Sequence, residues 1–189
     1  MNFTTEPIRD RRRVNEILSY MKGSNYRNYV MAKIQLNTGL RISDVLKLKV
    51  KDFIQPDLRY REYITLHEKK TSKEKKIAIN KALKDIIKDY ILKYDLTYNS
   101  YLFPSPKKKN APISRTQAHR IYENVAKALH LDNFNSHSLR KTWGYFAYKE
   151  TQNIALLMDV YNHSSAEMTL RYIGINQDDK NSLYHKIKF

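Results

Sequence analysis

Apolar residues recur at helical spacing along most of this chain, and two short stretches with strand-like alternation interrupt that pattern. REYITLHE (61–68) and KKIAI (75–79) are rich in β-forming residues and flank a polar segment, so they predict an antiparallel hairpin. A third strand is predicted near 52–54. We therefore expect an α+β fold that is mainly α and carries a small antiparallel sheet of about three strands.

Capping and turn residues divide the helical pattern into separate helices. Gly23 is predicted to end the first helix, and Ser24 is predicted to cap the second. The stretch 98–114 holds three prolines and a lysine triplet, so it is expected to form a surface loop and is the best candidate for an internal boundary. The predicted helices span 8–21, 26–36, 42–48, 81–94, 115–130, 137–149, 153–160, 165–173 and 177–187.

The charge balance indicates a polyanionic partner. Lysine and arginine total 35 against 19 acidic residues, which gives a formal net charge of +16 that is spread along the chain. Such a field attracts nucleic acid first and an anionic membrane surface second, and a merely soluble basic surface is the plain alternative. The chain has no cysteine, no apolar run long enough to span a membrane and no secretory signal, so a cytoplasmic protein is expected.

The segment NTGLRISDVLKLKV (37–50) places Arg41 at the start of a short helix. A positive side chain at the positive end of a helix is unfavourable unless an anion binds there. Asp44 holds the Arg41 guanidinium in place in one interpretation, and in the alternative the two residues form a purely structural pair. The residues expected to face inward are Val45, Leu46 and Leu48.

The segment SHSLRKTWGYFAYKE (136–150) brings a histidine and an arginine to the start of another helix. His137 and Arg140 are three residues apart, so their side chains are neighbours on one flank of the helix. Together with the partial positive charge of the helix N-terminus, the pair forms an anion clamp. Taken alone, a surface histidine and a solvated arginine are the commoner explanation.

The segment NHSSAEMTLRYIG (162–174) contains a histidine and, nine residues later, a tyrosine. A helix capped by Ser164 or Ser165 is expected to connect His163 to Tyr172. Taken alone, Tyr172 is an ordinary packed aromatic, one of 15 tyrosines, and His163 is a surface or capping residue. The alternative is that the tyrosine hydroxyl is a nucleophile.

In chain order, these segments resemble the three signature blocks of the tyrosine recombinases, the phage integrase family. The matching blocks are GLRISDVLKLKVKDF, HSLR and NHSSAEMTLRY, and the resemblance covers about 41–174. The step of nine residues from His163 to Tyr172 matches, as does the step of 23 residues from Arg140 to His163. Each block is weak alone, whereas all three in order and at this spacing form a specific signal.

The resemblance implies a role for each matching residue. The matching positions are the phosphate-binding arginines Arg41 and Arg140, the active-site histidines His137 and His163, and the nucleophile Tyr172. Asp44 matches an acidic position that supports the site.

The family's catalytic lysine lies in the turn of a β-hairpin, where this chain has EKKTSKEKK (68–76). Lys70, directly before Thr71-Ser72, resembles the Lys-Thr-Gly pattern of the family best, and Lys73 is the alternative general acid. The residues expected to contact DNA are Lys69, Lys73 and Arg171.

This chain departs from the family pattern in two places. Tyr161-Asn162 replaces the usual Leu-Gly before the second histidine, and asparagine can preserve that turn because it tolerates a left-handed backbone. About 40 residues precede the first signature arginine, so no separate core-binding or arm-binding domain is evident. We expect a single catalytic domain over 1–189, with helices in 1–40, the signature region in 41–174, and in 175–189 a C-terminal helix that packs on a neighbouring protomer or on its own domain.

The resemblance implies a site-specific DNA recombinase that acts in integration, excision or inversion through a covalent 3′-phosphotyrosyl intermediate. No metal, other cofactor or ATP is expected, since the arginines and histidines supply the donors and the sequence has no H-E-x-x-H and no tight carboxylate cluster. The expected partners are double-stranded DNA and further copies of the chain, as a dimer on each site and a tetramer during strand exchange, in the bacterial cytoplasm and not at a membrane. The alternatives are a type IB topoisomerase-like relaxase, a non-catalytic DNA-binding regulator on the same fold, and an RNA-binding protein.

Overall fold

Helices dominate the computed structural model of this chain, which describes residues 5–67, 74–175 and 184–187. The helices are α1 Arg11–Ser24, α2 Tyr26–Thr38, α3 Ile42–Val45, α4 Lys81–Lys93, α5 Arg115–Ala128, α6 Ser138–Thr151, α7 Ile154–Tyr161 and α8 Ala166–Tyr172. A 3-10 helix, Val50–Asp52, follows α3, and the strands β1 Tyr63–His67 and β2 Glu74–Ala78 precede α4. The helix predicted over 177–187 falls mostly outside these residues.

Polar side chains fix where most helices begin, because each accepts a backbone N–H that the first turn leaves unpaired. The capping residues are Asp10, Asn25, Asn80, Ser114, Asn153 and Ser165. The cap predicted at Ser24 is wrong, since Asn25 accepts from the Asn28 N–H at 3.2 Å and α1 runs past Gly23. The sequence therefore predicted the presence of these helices better than their ends.

The sheet has two strands among the described residues, rather than the predicted three. β1 and β2 are antiparallel, with Tyr63 opposite Ala78 and Thr65 opposite Lys76. The third strand near 52–54 is wrong because 50–52 coils into the 3-10 helix, where Asp52 accepts the N–H of Lys49 at 2.8 Å. Only an isolated bridge from Ile54 to Tyr60 remains of the predicted pairing.

The stretch 98–114 lacks helices, as predicted, but part of it is buried rather than on the surface. Leu102 and Phe103 are fully buried in the main core. The N–H of Leu102 donates to the carbonyl of Leu48 at 2.9 Å, which ties the stretch to the segment after α3. The apolar pair LF inside a proline-rich segment was the sequence signal for this packing.

Buried side chains form one large core and one smaller cluster. The large core draws on α1 to α6 and includes Val45, Leu46 and Leu48, which confirms that these three residues face inward. The smaller cluster centres on Leu157, Tyr161 and Ile173, so α7 and α8 pack through a cluster of their own. Helix α6 belongs to both, because it sends Leu139 into the large core and Trp143 against the smaller cluster. Within the described ranges, no helix is both long and apolar enough to cross a membrane.

Candidate active site

Arg140 lies in the first turn of α6 and is almost completely buried, with an exposed fraction of 3%. The guanidinium donates from Nη1 to the carbonyl of Gly39, and its Cζ lies 4.3 Å from the centroid of the Tyr161 ring. Its Nε is buried and has no hydrogen-bond partner among the described residues. A buried guanidinium with an unpaired N–H is energetically unfavourable, so this site suits an anion that supplies the missing acceptor.

Arg41 is the N-cap residue of α3, and its side chain is exposed and makes no capping hydrogen bond. Its positive charge contributes to lowering the pKa of His137, Arg140 and His163, which places the guanidinium near all three. Among the described side chains no ion pair joins Arg41 to Asp44. The supporting role of Asp44 therefore stays a prediction, whereas the predicted position of Arg41 beside the histidines agrees with the geometry.

His137 directly precedes α6 and is held at its backbone, because its N–H donates to Oδ1 of Asn135 at 2.8 Å. Partial desolvation lowers the pKa of His137, and the charges of the surrounding cations lower it further. These cations are Arg140, Lys141, Arg115 and Arg41. The imidazole is therefore neutral at neutral pH and is able to accept a proton.

His163 follows a left-handed turn at Asn162, whose φ of 57° and ψ of 49° show that asparagine takes the conformation expected of it. His163 Nδ1 lies 3.1 Å from the hydroxyl of Thr169, and that hydroxyl donates to the carbonyl of Ser165 at 3.0 Å. Because the threonine has one proton to give, Nδ1 carries the hydrogen and Nε2 the lone pair. Burial lowers the pKa of His163, and the charges of Arg140 and Arg41 add to the effect.

Two tyrosines meet in the site, and their surroundings distinguish them. The Tyr161 ring is 5.0 Å from the Tyr172 ring, and both pack against His163 at 5.3 Å and 5.1 Å between centroids. Tyr161 is buried, its hydroxyl donates to the carbonyl of Arg140 at 2.9 Å, and burial raises its pKa. Tyr172 is half-buried, and its hydroxyl lies within hydrogen-bonding reach of the Arg140 guanidinium. Only Tyr172 therefore combines an accessible ring with a hydroxyl free of the backbone.

The predicted catalytic lysine, Lys70, and its neighbours Lys69 and Lys73 lie outside the described residues. The strands on either side of them are placed, and Nζ of Lys75 in β2 donates to the carbonyl of Val160 near the end of α7. Arg171 is exposed and forms an ion pair with Glu167 at 2.8 Å across one turn of α8. Its predicted contact with DNA stays a prediction.

Sequence reasoning missed three residues of the site: Lys141, Tyr161 and Thr169. Lys141 lies four residues after His137, on the same helical flank, and its Nζ is 5.1 Å from the centroid of the Tyr172 ring. Tyr161 stands where the family usually has leucine, and that departure was the available signal. Thr169 precedes Tyr172 by three residues, which is the spacing of neighbours on one helix face.

The structure thus brings together five residues predicted from separate segments. These are Arg41, His137, Arg140, His163 and Tyr172. Two arginines, two histidines of lowered pKa and one accessible phenol therefore lie close together, an arrangement suited to holding an anion beside a phenol oxygen. In the placed parts of the chain, no group of three or more His, Asp or Glu is arranged to hold a metal ion.

The comparisons with known proteins identify the family of the chain. The chain matches the model of the phage integrase family over residues 10–179. It is 40% identical over 179 residues to the probable integrase/recombinase YoeC of Bacillus subtilis, and the match covers 95% of this chain and 94% of YoeC. It is 26% identical over 161 residues to the tyrosine recombinase XerH of Campylobacter jejuni, which covers 83% of this chain and 44% of that protein. The chain therefore belongs to the phage integrase family, and it is a tyrosine recombinase.

Solved structures support the same fold. The crystal structure of XerA recombinase matches with a TM-score of 0.74 at 18% identity, over 97% of this chain and 65% of that one. The catalytic domain of bacteriophage HP1 integrase matches with a TM-score of 0.60 at 20% identity, over 96% of this chain and 95% of that one. The predicted fold class, a mainly helical catalytic domain with a small antiparallel sheet, is confirmed.

Proposed function

We propose that this chain cleaves and rejoins double-stranded DNA at defined sites in the bacterial cytoplasm, with Tyr172 as the nucleophile and a 3′-phosphotyrosyl bond as the intermediate. One observation carries the proposal: the Tyr172 hydroxyl lies beside a buried Arg140 guanidinium whose Nε lacks a partner in the described structure. A scissile phosphate bound there places its phosphorus next to the attacking oxygen.

The arginines act on the charge of the phosphate. Attack by a phenol oxygen builds negative charge on a five-coordinate phosphorus, and fixed donors aimed at that charge lower the barrier by about 3 kcal/mol each. Arginine suits this role because its planar fork matches two phosphate oxygens and does not lose its proton. We assign this role to Arg41 and Arg140.

The histidines act on protons. The lowered pKa of His137 keeps its imidazole neutral. We therefore propose that His137 accepts the proton of the Tyr172 hydroxyl when the hydroxyl attacks. His163 offers Nε2 as an acceptor in the tautomer that Thr169 favours, so we propose that Nε2 takes up a proton and then donates it in a hydrogen bond to a phosphate oxygen. His163 packs against the Tyr172 ring, and His137 lies near Arg140 and Lys141, which both contact that tyrosine.

Lys70 is proposed as the general acid that protonates the 5′ oxygen leaving group, with Lys73 as the alternative. The contact between Lys75 and Val160 supports this assignment, because it brings β2 against the end of α7, two residues before the His163 turn. We propose that Lys69, Lys73 and Arg171 contact the DNA backbone, and that Arg171 exchanges Glu167 for a phosphate when DNA binds.

Assembly follows from the reaction. Exchange of strands between two sites needs two cleaved duplexes, so we propose a dimer on each site and a tetramer during strand exchange. Residues 175–189 are proposed to pack on a neighbouring protomer, with packing on the same domain as the alternative.

Covalent capture tests this function. The protein is incubated with nicked duplexes that tile the DNA beside its own gene, in EDTA, and denaturing gels detect a protein–DNA adduct. We expect an adduct at defined duplexes with the wild type, none with Tyr172→Phe, and an undiminished amount with Tyr148→Phe, which removes a hydroxyl from the same small cluster.

The other outcomes separate the alternatives. Adducts at every duplex without preference indicate a topoisomerase-like relaxase. Sequence-specific binding without an adduct indicates a regulator on a recombinase fold. An adduct that survives Tyr172→Phe contradicts the assignment of the nucleophile.

A further inference from the structure

Residues 5–9, named here the N-terminal strap, pack against the start of α6, where two of the site residues lie. Nζ of Lys141 donates to the carbonyl of Thr5 at 2.6 Å, and the N–H of Ile8 donates to the hydroxyl of Thr142 at 2.8 Å. Asn135 joins the strap to the site, because its Nδ2 donates to the hydroxyl of Thr5 at 2.7 Å while its Oδ1 accepts the N–H of His137.

The same strap packs against the end of α8, two residues beyond the nucleophile. The Arg9 guanidinium donates to the carbonyl of Gly174, and Pro7 is buried. A Cβ added at Gly174 would lie 2.7 Å from Cγ of Pro7, and the φ of 75° at this position also favours glycine. The close approach of Pro7 and the backbone of Gly174 therefore depends on glycine at this position.

These contacts bridge two parts of the molecule that pack separately. Tyr172 and Ile173 belong to the smaller cluster of α7 and α8, while the start of α6 packs in the large core. Lys141 connects the strap to the nucleophile directly, since its Nζ bonds to Thr5 and lies 5.1 Å from the centroid of the Tyr172 ring. A cation at this distance attracts the ring face and restricts where the ring lies.

We propose that the N-terminal strap positions the nucleophile: through Arg9 on Gly174 and Lys141 on the Tyr172 ring, it fixes the phenol hydroxyl relative to Arg140. The inference rests on the proposed function of Tyr172 and adds a part of the chain that sets the position of this residue. An event that lifts the strap from α6 and α8 breaks the bond of Arg9 to Gly174 and the bond that holds Lys141 to Thr5, so docking of the strap controls how firmly the tyrosine is positioned.

Hydrogen exchange of the free protein tests the strap without any need for catalysis. Arg9→Gln removes the bond to Gly174, and Arg12→Gln is the matched control because it removes the same charge from an exposed position nearby. We expect peptides that cover 166–175 to exchange about fivefold faster in Arg9→Gln, with α4 unchanged and Arg12→Gln like the wild type. Equal exchange in Arg9→Gln and Arg12→Gln overturns the proposal.

Single-turnover cleavage at saturating nicked duplex tests the consequence for the reaction. Arg9→Gln and Lys141→Met are expected to slow adduct formation about tenfold while DNA affinity changes less than about twofold, because a small displacement of a reacting atom is costly. Lys141→Arg keeps the cation over the ring and should restore most of the rate. The double variant should be no slower than the slower single variant, since both act through one strap.

The two measurements separate failure of the strap from failure of the proposed function. A wild type that forms no adduct contradicts the function, and the exchange of 166–175 then decides the strap by itself. Unchanged cleavage in Arg9→Gln and Lys141→Met, in a wild type that is active, overturns the positioning role.

Discussion

At the scale of single residues, the two arginines of the site differ in a way that their sequence segments do not reveal. Both stand at the start of a helix, but Arg140 is buried and Arg41 is exposed. Burial lowers the pKa of Arg140, because the protein interior solvates the charged guanidinium less well than water does. The free protein therefore holds a destabilising cation that a bound phosphate would neutralise.

Replacing each arginine by methionine should expose this difference. Both variants are expected to cleave about 10²–10³-fold more slowly, because each loses a donor to the phosphate. Arg140→Met should raise the free energy of unfolding by about 1 kcal/mol, since the cost of a buried unneutralised charge exceeds that of the lost bond to Gly39. Arg41→Met should change it by less than about 0.5 kcal/mol. Urea denaturation of both variants measures this, and a strongly destabilised Arg140→Met contradicts it.

The histidines predict a pH dependence of stability. Their pKa values are lowered in the folded protein, so below the ordinary value of 6.5 the unfolded chain binds more protons than the folded one. The free energy of unfolding should therefore rise with pH through the interval below that value and level off above it. Denaturation of wild type and His163→Gln between about pH 5.5 and 7.5 measures the effect, and the variant should have the shallower slope. Identical slopes would show that His163 contributes nothing.

At the scale of elements, the turn between α7 and α8 sets the position of His163. Asn162 adopts a left-handed conformation that leaves the His163 N–H bonded to the carbonyl of Met158 at 2.9 Å. Gln152 adopts the same conformation at the end of α6, with a φ of 52°. The Gln152 amide donates to the carbonyl of Lys149 at 3.2 Å, but asparagine tolerates a left-handed backbone better than glutamine does.

Substitutions at these two helix ends should therefore differ. Asn162→Ala is expected to cost about 1 kcal/mol of stability and to slow cleavage, because the altered turn displaces His163. Asn162→Gly should keep the stability and the cleavage rate of the wild type, because glycine adopts the left-handed backbone without strain. Gln152→Gly should gain up to about 1 kcal/mol and leave cleavage unchanged, since it lies at the opposite end of α6 from the site. Thermal denaturation and adduct yields test the set, and equal behaviour of Asn162→Ala and Asn162→Gly would exclude a role for the backbone.

At the scale of the whole molecule, the net charge of +16 governs binding to a polyanion more than any single contact does. Most bonds between proteins and DNA reach phosphates, and each neutralised phosphate releases counterions. The affinity should therefore fall steeply with salt and depend little on the hydroxyl of the nucleophile.

This dependence is measurable as the slope of log affinity against log salt. For six to ten phosphate contacts, we expect affinity to fall about 10³–10⁵-fold from about 50 to 200 mM salt. Tyr172→Phe should keep the same slope, while Arg171→Gln should reduce it by about one if Arg171 exchanges Glu167 for a phosphate. A slope near zero would contradict electrostatic binding.

Much of the fold followed from local patterns. In the residues that the structure describes, helix spacing and strand-like alternation predicted eight helices and the two paired strands, because burial of one face imposes its period on the sequence. The wrong predictions concern elements that local patterns describe poorly. The third strand gave way to a 3-10 helix capped by Asp52, and the proline-rich loop proved to be packed by Leu102 and Phe103.

The sequence by itself determined the family and predicted the site residues, since its three blocks resemble the signature blocks of the phage integrase family, which implied two arginines, two histidines and a tyrosine. Only the tertiary structure decided which of these side chains are buried, which are accessible and what each contacts, because burial and contact depend on segments far apart in the chain. It buried Arg140 against Tyr161, assigned the accessible hydroxyl to Tyr172 rather than Tyr161, and brought Thr5 to Lys141 across 136 positions. Such contacts leave no period in a sequence, since each joins residues whose spacing is set by the whole fold.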